Sequence, residues 1–443
     1  MKRPVVGLVR FDENGSSLRN AIDLADGFAD LDKNDAVLIK VNQAWGSLSK
    51  KFPLFGFATT ARIVEDLVIL LKDFGCSDIT IGEGSVPNAE FGSTTAKAFR
   101  SAGYTDVAGR YGVRLIDFNE GRHRKVPLGG FTANIAEAVF SAGFLINLPV
   151  LKTHAQTKIS LGMKNLKGCL DFPSKMAFHR NGLEEPISRL AALIRPHLTI
   201  IDGIYAMANG PDFATGRSAR ADIIIAGKDQ LACDMIGARI LGIDPIDVDH
   251  LVTYAALDNP AREISDYALE VRGASVQELA CPLPWKRNFL GILDDAGISG
   301  LAIQEPGKRT CTGCTTAVRA VLAPFAKDNP GMTLDHIEIC TGPEVKPFAD
   351  SRVVFLAGNC SIKANKDIPE AAYAHRVPGC PLSGRKLFLA LMNETLGRPR
   401  ARNILVARIA KKIAAGIRLY DEDFGFMARY PQPEFDPGHF KPR

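Results

Sequence analysis

Ala36-Val37-Leu38-Ile39-Lys40-Val41 and Asp78-Ile79-Thr80-Ile81, with the run Thr60–Phe74 between them, decide how this chain folds. The two short runs are apolar and rich in β-branched residues, as buried strands are. Between them, apolar positions recur at Ile63, Leu67, Leu70 and Leu71, which line one face of a helix. Thr59 or Thr60 can cap its start, and Gly75 can end it. A strand, a helix and a second strand in this order favour parallel strands joined by a helical crossover.

The same alternation extends through residues 1–280. Val5–Val9, Val113–Asp117, Phe144–Pro149, His197–Ile201 and Ala221–Ala226 read as further strands, and Leu231–Leu241, followed by Gly242, as another helix. The expected fold is therefore α/β, a mainly parallel sheet flanked by helices. Cys281-Pro282-Leu283-Pro284-Trp285 interrupts the pattern, because closely spaced prolines disfavour helix, and it reads as a linker. Residues 286–400 then show a second, smaller α/β pattern: helix Thr316–Phe325, strands His336–Cys340 and Val353–Ala357, and helix Leu387–Leu396. Residues 401–443 form a basic, then proline-rich tail with Pro431-Gln432-Pro433-Glu434, expected either to wrap the surface or to be partly disordered.

The 443 residues are 46% hydrophobic, enough for large cores. Lysine and arginine number 54 against 49 acidic residues, a net charge of +5. So mild an excess, with short clusters such as Arg122–Lys125, lacks the basic stripe of a nucleic-acid binder. The apolar run Val5-Val6-Gly7-Leu8-Val9 is too short for a signal core, and no run approaches the roughly 20 residues that span a bilayer. A cytoplasmic protein without nucleic-acid or membrane partners is expected; a homodimer is one assembly open to it.

Five of the nine cysteines fall between 311 and 380. An odd total without an export signal argues against a disulfide framework. Cys76, Cys169, Cys233 and Cys281 are isolated and read as small buried apolar residues. Cys311-Thr312-Gly313-Cys314 is a turn that aims two thiolates at one centre, with Gly313 permitting the tight backbone. Gly358-Asn359-Cys360 follows the strand Val353–Ala357, and Gly379-Cys380-Pro381 carries the cysteine–proline pair that also ends bacterial ferredoxin runs. Cys311, Cys314, Cys360 and Cys380 are thus the expected ligands of one 4Fe–4S cluster. Zinc more often takes two closely spaced ligand pairs, and a redox dithiol would leave Cys360 and Cys380 without a role. Four unrelated buried thiols are the plain alternative. Cys340, at the end of an apolar strand, competes with Cys360 for the fourth place.

Parallel sheets bind ligands at the carboxyl ends of their strands. Those ends are polar here: Lys40 and Asn42, Glu83 in Gly82-Glu83-Gly84-Ser85, Lys152-Thr153-His154 after Phe144–Pro149, and Asp202-Gly203. If the strands are neighbours, these groups share one pocket. Lys40, Lys152, Lys164 and Lys167 can bind an anion, with Asn42, Glu83 and Asn165 shaping the site. His154 can carry a proton or hold a metal, and Asp202 can orient a lysine or the histidine, or cap a turn. The plain reading is solvated lysines and a histidine with one structural hydrogen bond. Gly82-Glu83-Gly84 is no dinucleotide fingerprint, because its third glycine is missing. His179 reads as part of a polar loop and carries little signal.

At Ile39-Lys40-Val41-Asn42, Asn147–His154, Lys164-Asn165-Leu166-Lys167-Gly168, Ile201-Asp202-Gly203-Ile204 and Asp234 with Gly237-Ala238-Arg239-Ile240-Leu241-Gly242, the chain resembles the prokaryotic family called domain of unknown function 362. The cysteine pattern looks like the cluster-bearing region of its iron–sulfur members. The resemblance implies a shared fold, a strand-end pocket and a cluster, and no particular reaction. The expectation that joins these readings is an oxidoreductase passing electrons from one 4Fe–4S cluster to a small anionic substrate or cofactor. Lys152, His154 and Asp202 would be its catalytic residues, and a ferredoxin-like protein its donor. Two rivals stand beside it: an electron-transfer or scaffold protein without chemistry of its own, and a non-redox enzyme with a structural cluster.

Overall fold

A computed structural model describes residues 3–45, 54–87, 92–210, 216–257, 260–261, 263–285, 291–304, 309–368, 374–396 and 434–443. Most of the expected tail, residues 401–433 with Pro431 and Pro433, lies outside the described residues. The chain divides into two compact units. One comprises residues 1–211, 216–286 and 427–443, the other residues 212–215 and 287–426.

The first unit has strands β1 (Val5–Arg10), β2 (Val37–Lys40), β3 (Ile79–Glu83), β4 (Arg114–Asp117), β5 (His123–Pro127), β6 (Thr132–Ala136), β7 (Phe144–Asn147), β8 (Val150–His154), β9 (Lys158–Ile159), β10 (Leu198–Gly210), β11 (Arg217–Gly227) and β12 (Glu270–Gly273). Ten of them form one sheet in the order β12-β1-β11-β10-β7-β2-β3-β4, with β8 and β9 branching from β10. The run from β10 to β4 is parallel throughout. Its central strands β2, β3 and β7 are buried along their whole length, which is why they read as continuous apolar runs. The fold is α/β, with a mostly parallel sheet flanked by helices.

The crossover between β2 and β3 contains helix Ala61–Phe74. Thr60 caps it, its hydroxyl accepting from Ile63 N at 3.3 Å, and Gly75 ends it in the left-handed region at φ 108°. The stretch Ala221–Ala226 belongs to β11, which runs antiparallel to both β10 and β1. Two long adjacent strands that return on each other escape a reading built on crossovers. The hairpin of β5 and β6 and the helices Phe172–Arg180 and Glu184–Leu193 also lie outside the expected elements.

Residues 434–443 pack into this unit. Phe435 and Phe440 bury their rings against Phe55 and Tyr205, with centroids 5.1 to 6.5 Å apart. His439 Nδ1 lies 2.7 Å from the Tyr205 hydroxyl, and Arg443 pairs with Asp66 at 2.6 Å.

The second unit holds strands β13 (Ser299–Ile303), β14 (Thr333–Thr341), β15 (Val353–Ala357) and β16 (Ala374–Val377), paired in that order and all parallel. Helix Thr312–Asp328 packs Val318, Leu322 and Phe325 against Ile337, Ile339, Val353 and Phe355. This helix begins earlier than its apolar pattern suggests, so Cys311 is its cap and Cys314 sits in its first turn. Among the described residues no helix is long and apolar enough to cross a membrane.

The C-terminal anchor is testable. Phe440→Ala empties a buried aromatic site and should cost about 3 kcal/mol of stability, read as a lower urea midpoint. An unchanged midpoint would show that the segment adds nothing to the unit.

Candidate functional site

Parallel pairing puts Lys40 opposite both Gly82 and Asn147, so the ends of β2, β3 and β7 meet. There Lys40 is fully buried. Its ammonium donates to Glu83 Oε2 at 3.0 Å, Asn165 Oδ1 at 3.1 Å and the carbonyl of Val41 at 2.7 Å. Glu83 also accepts from the backbone N–H groups of Gln43 at 2.9 Å and Gly84 at 2.8 Å. An ion pair removed from water is stable only when its remaining lone pairs and protons are also satisfied, and this one is. Gly168 lies directly over it: a Cβ there would come 2.1 Å from Glu83 Oε1 and 2.5 Å from Lys40 Nζ.

Asn165 extends the network, donating to Asn147 Oδ1 at 2.8 Å and accepting from Asn42 Nδ2 at 2.9 Å. Asn42 in turn accepts from Lys152, whose ammonium also donates to the carbonyl of Phe57 at 3.0 Å. Lys152 has no carboxylate partner among the described residues, and burial brings its pKa down to about 7. On the other side of Glu83, Lys175 donates to the carbonyl of Gly84 at 2.6 Å and to Asn119 Oδ1 at 3.1 Å. Burial brings its pKa down to about 8. Burial also pushes the neighbouring Cys169 thiol up to about 12, so it stays neutral.

The other expected residues are placed differently. His154 ends β8, buried, and its Nδ1 accepts from the backbone N–H groups of Gln156 at 3.0 Å and Thr157 at 3.3 Å, which leaves the ring proton on Nε2. It shares a strand face with Lys152, two residues away. Asp202 meets neither of them. It accepts from Thr60 N at 2.7 Å, Thr60 Oγ1 at 2.9 Å and Ile204 N at 3.1 Å, and so anchors the start of helix Ala61–Phe74. Lys164 and Lys167 are half-buried, and Lys167 Nζ lies 3.5 Å from His179 Nε2. Lys175, Asn119 and Phe57 are network members that the strand-end pattern did not supply. Asp171-Phe172-Pro173, a capping residue with a proline in the first turn, was the available signal for the helix that carries Lys175.

In the second unit, Cys311, Cys360 and Cys380 each follow the carboxyl end of a parallel strand, and Cys314 lies one turn beyond Cys311. The Cys311 thiol beside it, then burial, hold the Cys314 thiol well above the usual thiol range, and Cys380 is close enough to add to the effect. Gly358 is flush with Cys314: a Cβ there would stand 3.2 Å from its Sγ. Cys360 is exposed in the first turn of helix Asn359–Ala364. Cys340 packs with Val345, Val354 and Leu356, while Cys314 packs against the separate core formed by Ile337, Ile339, Val353 and Phe355. No three His, Cys, Asp or Glu among the described residues close on a single metal ion. The four expected donors are all thiols, the chemistry iron–sulfur ligation needs, and of them Cys311 and Cys380 act on Cys314.

Two outcomes follow from the first unit. Glu83→Gln leaves Lys40 buried without its counter-charge and should cost about 3–5 kcal/mol, with Lys40→Met in the same chain restoring much of it. Additive losses in the double variant would show the pair to be uncoupled. Lys152 keeps its proton to near pH 7 when folded and to about 10.5 when unfolded. The folded chain should therefore gain stability as pH rises from 7 to 9, and Lys152→Met should flatten that rise in thermal melts.

A thylakoid-associated protein of Synechocystis sp. is 28% identical over 241 residues, which cover 53% of this chain and 71% of that protein. The lactate racemase apoprotein from Thermoanaerobacterium thermosaccharolyticum overlays with a TM-score of 0.33 at 13% identity, covering 52% of this chain and 56% of that one; so slight a likeness says nothing of function. Residues 37–239 match the family described as "Domain of unknown function (DUF362)". That span holds every member of the lysine–glutamate network and none of the clustered cysteines, so the match falls on the network and leaves the thiol group outside it.

Proposed function

We propose that the protein is a cytoplasmic iron–sulfur oxidoreductase that acts on a small anionic substrate or cofactor. Its 4Fe–4S cluster is held by Cys311, Cys314, Cys360 and Cys380, and a ferredoxin-like protein is its electron partner. The observation that supports the reading is that the Cys311 and Cys380 thiols both act on Cys314, where loops that follow strands of an all-parallel sheet meet. When bound, such a cluster supplies single electrons at a potential set by burial and by hydrogen bonds to its sulfurs.

The chain's own residues do the rest. Asn42 and the carbonyl of Phe57 orient the Lys152 amine, which can take up or release a proton near neutral pH. Half-buried Lys164 and Lys167 offer positive charge to the anion. His154 presents one more ring proton on the face that carries Lys152. The proton-ready Lys152 also favours a second reading, a non-redox enzyme in which the cluster is structural.

Anaerobically purified protein should contain about four irons and four acid-labile sulfides per chain, and both should fall to background in Cys314→Ala. Zinc without sulfide would sink the iron–sulfur reading. A cluster that no physiological reductant can reduce would favour the non-redox enzyme.

A further inference from the structure

Residues 54–59 lead into helix Ala61–Phe74, and all six are buried although they form neither helix nor strand. A buried loop must find partners for its backbone polar groups. The Phe55 carbonyl accepts from Ser218 Oγ at 2.5 Å, and the Thr59 carbonyl accepts from the Tyr104 hydroxyl at 2.5 Å. Thr59 also pairs with Asn42 in both directions. Its N–H donates to the Asn42 carbonyl at 2.9 Å, and its hydroxyl accepts from Asn42 N at 2.8 Å. Among the described residues the Lys152 ammonium donates to two oxygens, the Phe57 carbonyl and Asn42 Oδ1. The first belongs to this loop, and the second is fastened to it through Thr59. The Phe57 ring adds a third contact, its centre 5.6 Å from Lys152 Nζ.

Residues 434–443 close on the same loop. Phe55, two residues from Phe57, has the Phe435 and Phe440 rings at 5.1 and 5.7 Å. The Phe440 carbonyl rests on Gly103, where a Cβ would come within 2.2 Å of it, and Gly103 directly precedes Tyr104, whose hydroxyl holds Thr59. Tyr205 stacks on Phe435, and its hydroxyl meets His439 Nδ1 at 2.7 Å and accepts from Asp436 N at 2.9 Å. His439 Nε2 lies 3.2 Å from both carboxylate oxygens of Glu13. The segment therefore bears on the loop at two places, at Phe55 directly and at Thr59 through Tyr104. A close-packed interior has little room to absorb a displacement, so what moves the one side moves the other.

We propose that residues 434–443 are a strap that positions Lys152: by clamping residues 54–59 they hold the Phe57 carbonyl and Asn42 against its ammonium and keep water from it. Phe435 and Phe440 are positioning residues that act through Phe55. The proposal rests on the reading that Lys152 handles a proton, and it is independent of the cluster. The charged groups acting on Lys152 are Glu83 and Lys40. Neither lies in the strap or the loop, so loosening the strap changes the solvation of the amine and leaves those charges unchanged. Burial favours the neutral amine, and water readmitted beside it favours the ammonium. A loosened strap therefore leaves Lys152 charged at neutral pH, where it can no longer take up a proton.

The test uses the full-length chain with carbon-13 at the lysine Cε positions. NMR follows the Lys152 signal, identified by its loss in Lys152→Met, as pH is raised. In the parent chain its midpoint should lie near 7. Phe440→Ala should raise that midpoint by at least about one pH unit. Tyr205→Phe is milder, removing only the hydroxyl that meets His439 and Asp436. It should move the midpoint in the same direction, and it decides the matter if Phe440→Ala does not fold. Leu251→Ala is the control for lost stability. This buried residue lies in helix Asp249–Leu257, which packs on helices Glu184–Leu193 and Gln230–Ile240. Its loss should lower the melting temperature and leave the midpoint where it was. The inference is overturned if the midpoint stays or falls in a folded strap variant, or if Leu251→Ala moves it as far. A parent midpoint near 10.5, the ordinary lysine value, defeats the reading of Lys152 as a proton carrier and this inference with it. A parent midpoint near 7 that the strap variants do not move defeats this inference alone.

Discussion

The ion pair between Lys40 and Glu83 is the constraint on which the strand-end network depends. It joins β2 to β3, and through Asn165 and Asn147 it reaches β7 and the segment that closes over it. Taking both charges out of water is costly, and the cost is met by surrounding each with further hydrogen bonds. That demand propagates. Gly168 must lack a side chain so that its backbone can lie on the pair, and Gly84 must lack one because Lys175 occupies the space. Asn165 must stand where it can accept from Lys40 and Asn42 while donating to Asn147. A low-dielectric setting makes each of these bonds stronger and each unpaired group more expensive.

The second unit uses the same architectural rule with different chemistry. Its strands are parallel, its loops after β13, β15 and β16 emerge at one edge, and that edge carries cysteines. Parallel strands return every carboxyl end to the same side, so residues far apart in the chain become neighbours without a dedicated device. Cys380 is brought near Cys314 in this way, although the two lie 66 positions apart in the chain.

Much of the first unit could be read from its residues. Buried parallel strands are short apolar runs, and a polar residue at the end of such a run stands out; Lys40, Asn42, Glu83 and Lys152 are of this kind. Lys175 is not. It lies on a short helix whose apolar residues follow no clear helical stripe, and a lysine on such a segment looks solvated until the fold buries it. Asp202 shows the opposite difficulty. Its position at the end of a buried stretch suggested chemistry, yet its carboxylate is spent on Thr60, 142 residues earlier, a pairing with no local mark. The antiparallel course of β11 was hidden for a related reason. A buried strand looks the same in either direction, and only its partner tells them apart.

The docking of residues 434–443 has a consequence for how the protein is made. The first unit takes its opening 211 residues from one end of the chain and its closing aromatic side chains from the other, with the second unit spelled out between. On a ribosome, the sheet and most of the unit's core emerge first. The aromatic face of Phe55 and Tyr205 must then wait for Phe435 and Phe440 while the intervening stretch is translated, on the order of ten seconds or more. During that interval the face is bare apolar surface on an otherwise folded body. A nascent chain of this protein is therefore most exposed to chaperones, and to mispairing with other chains, after the sheet of its first unit has formed and before Phe435 and Phe440 arrive.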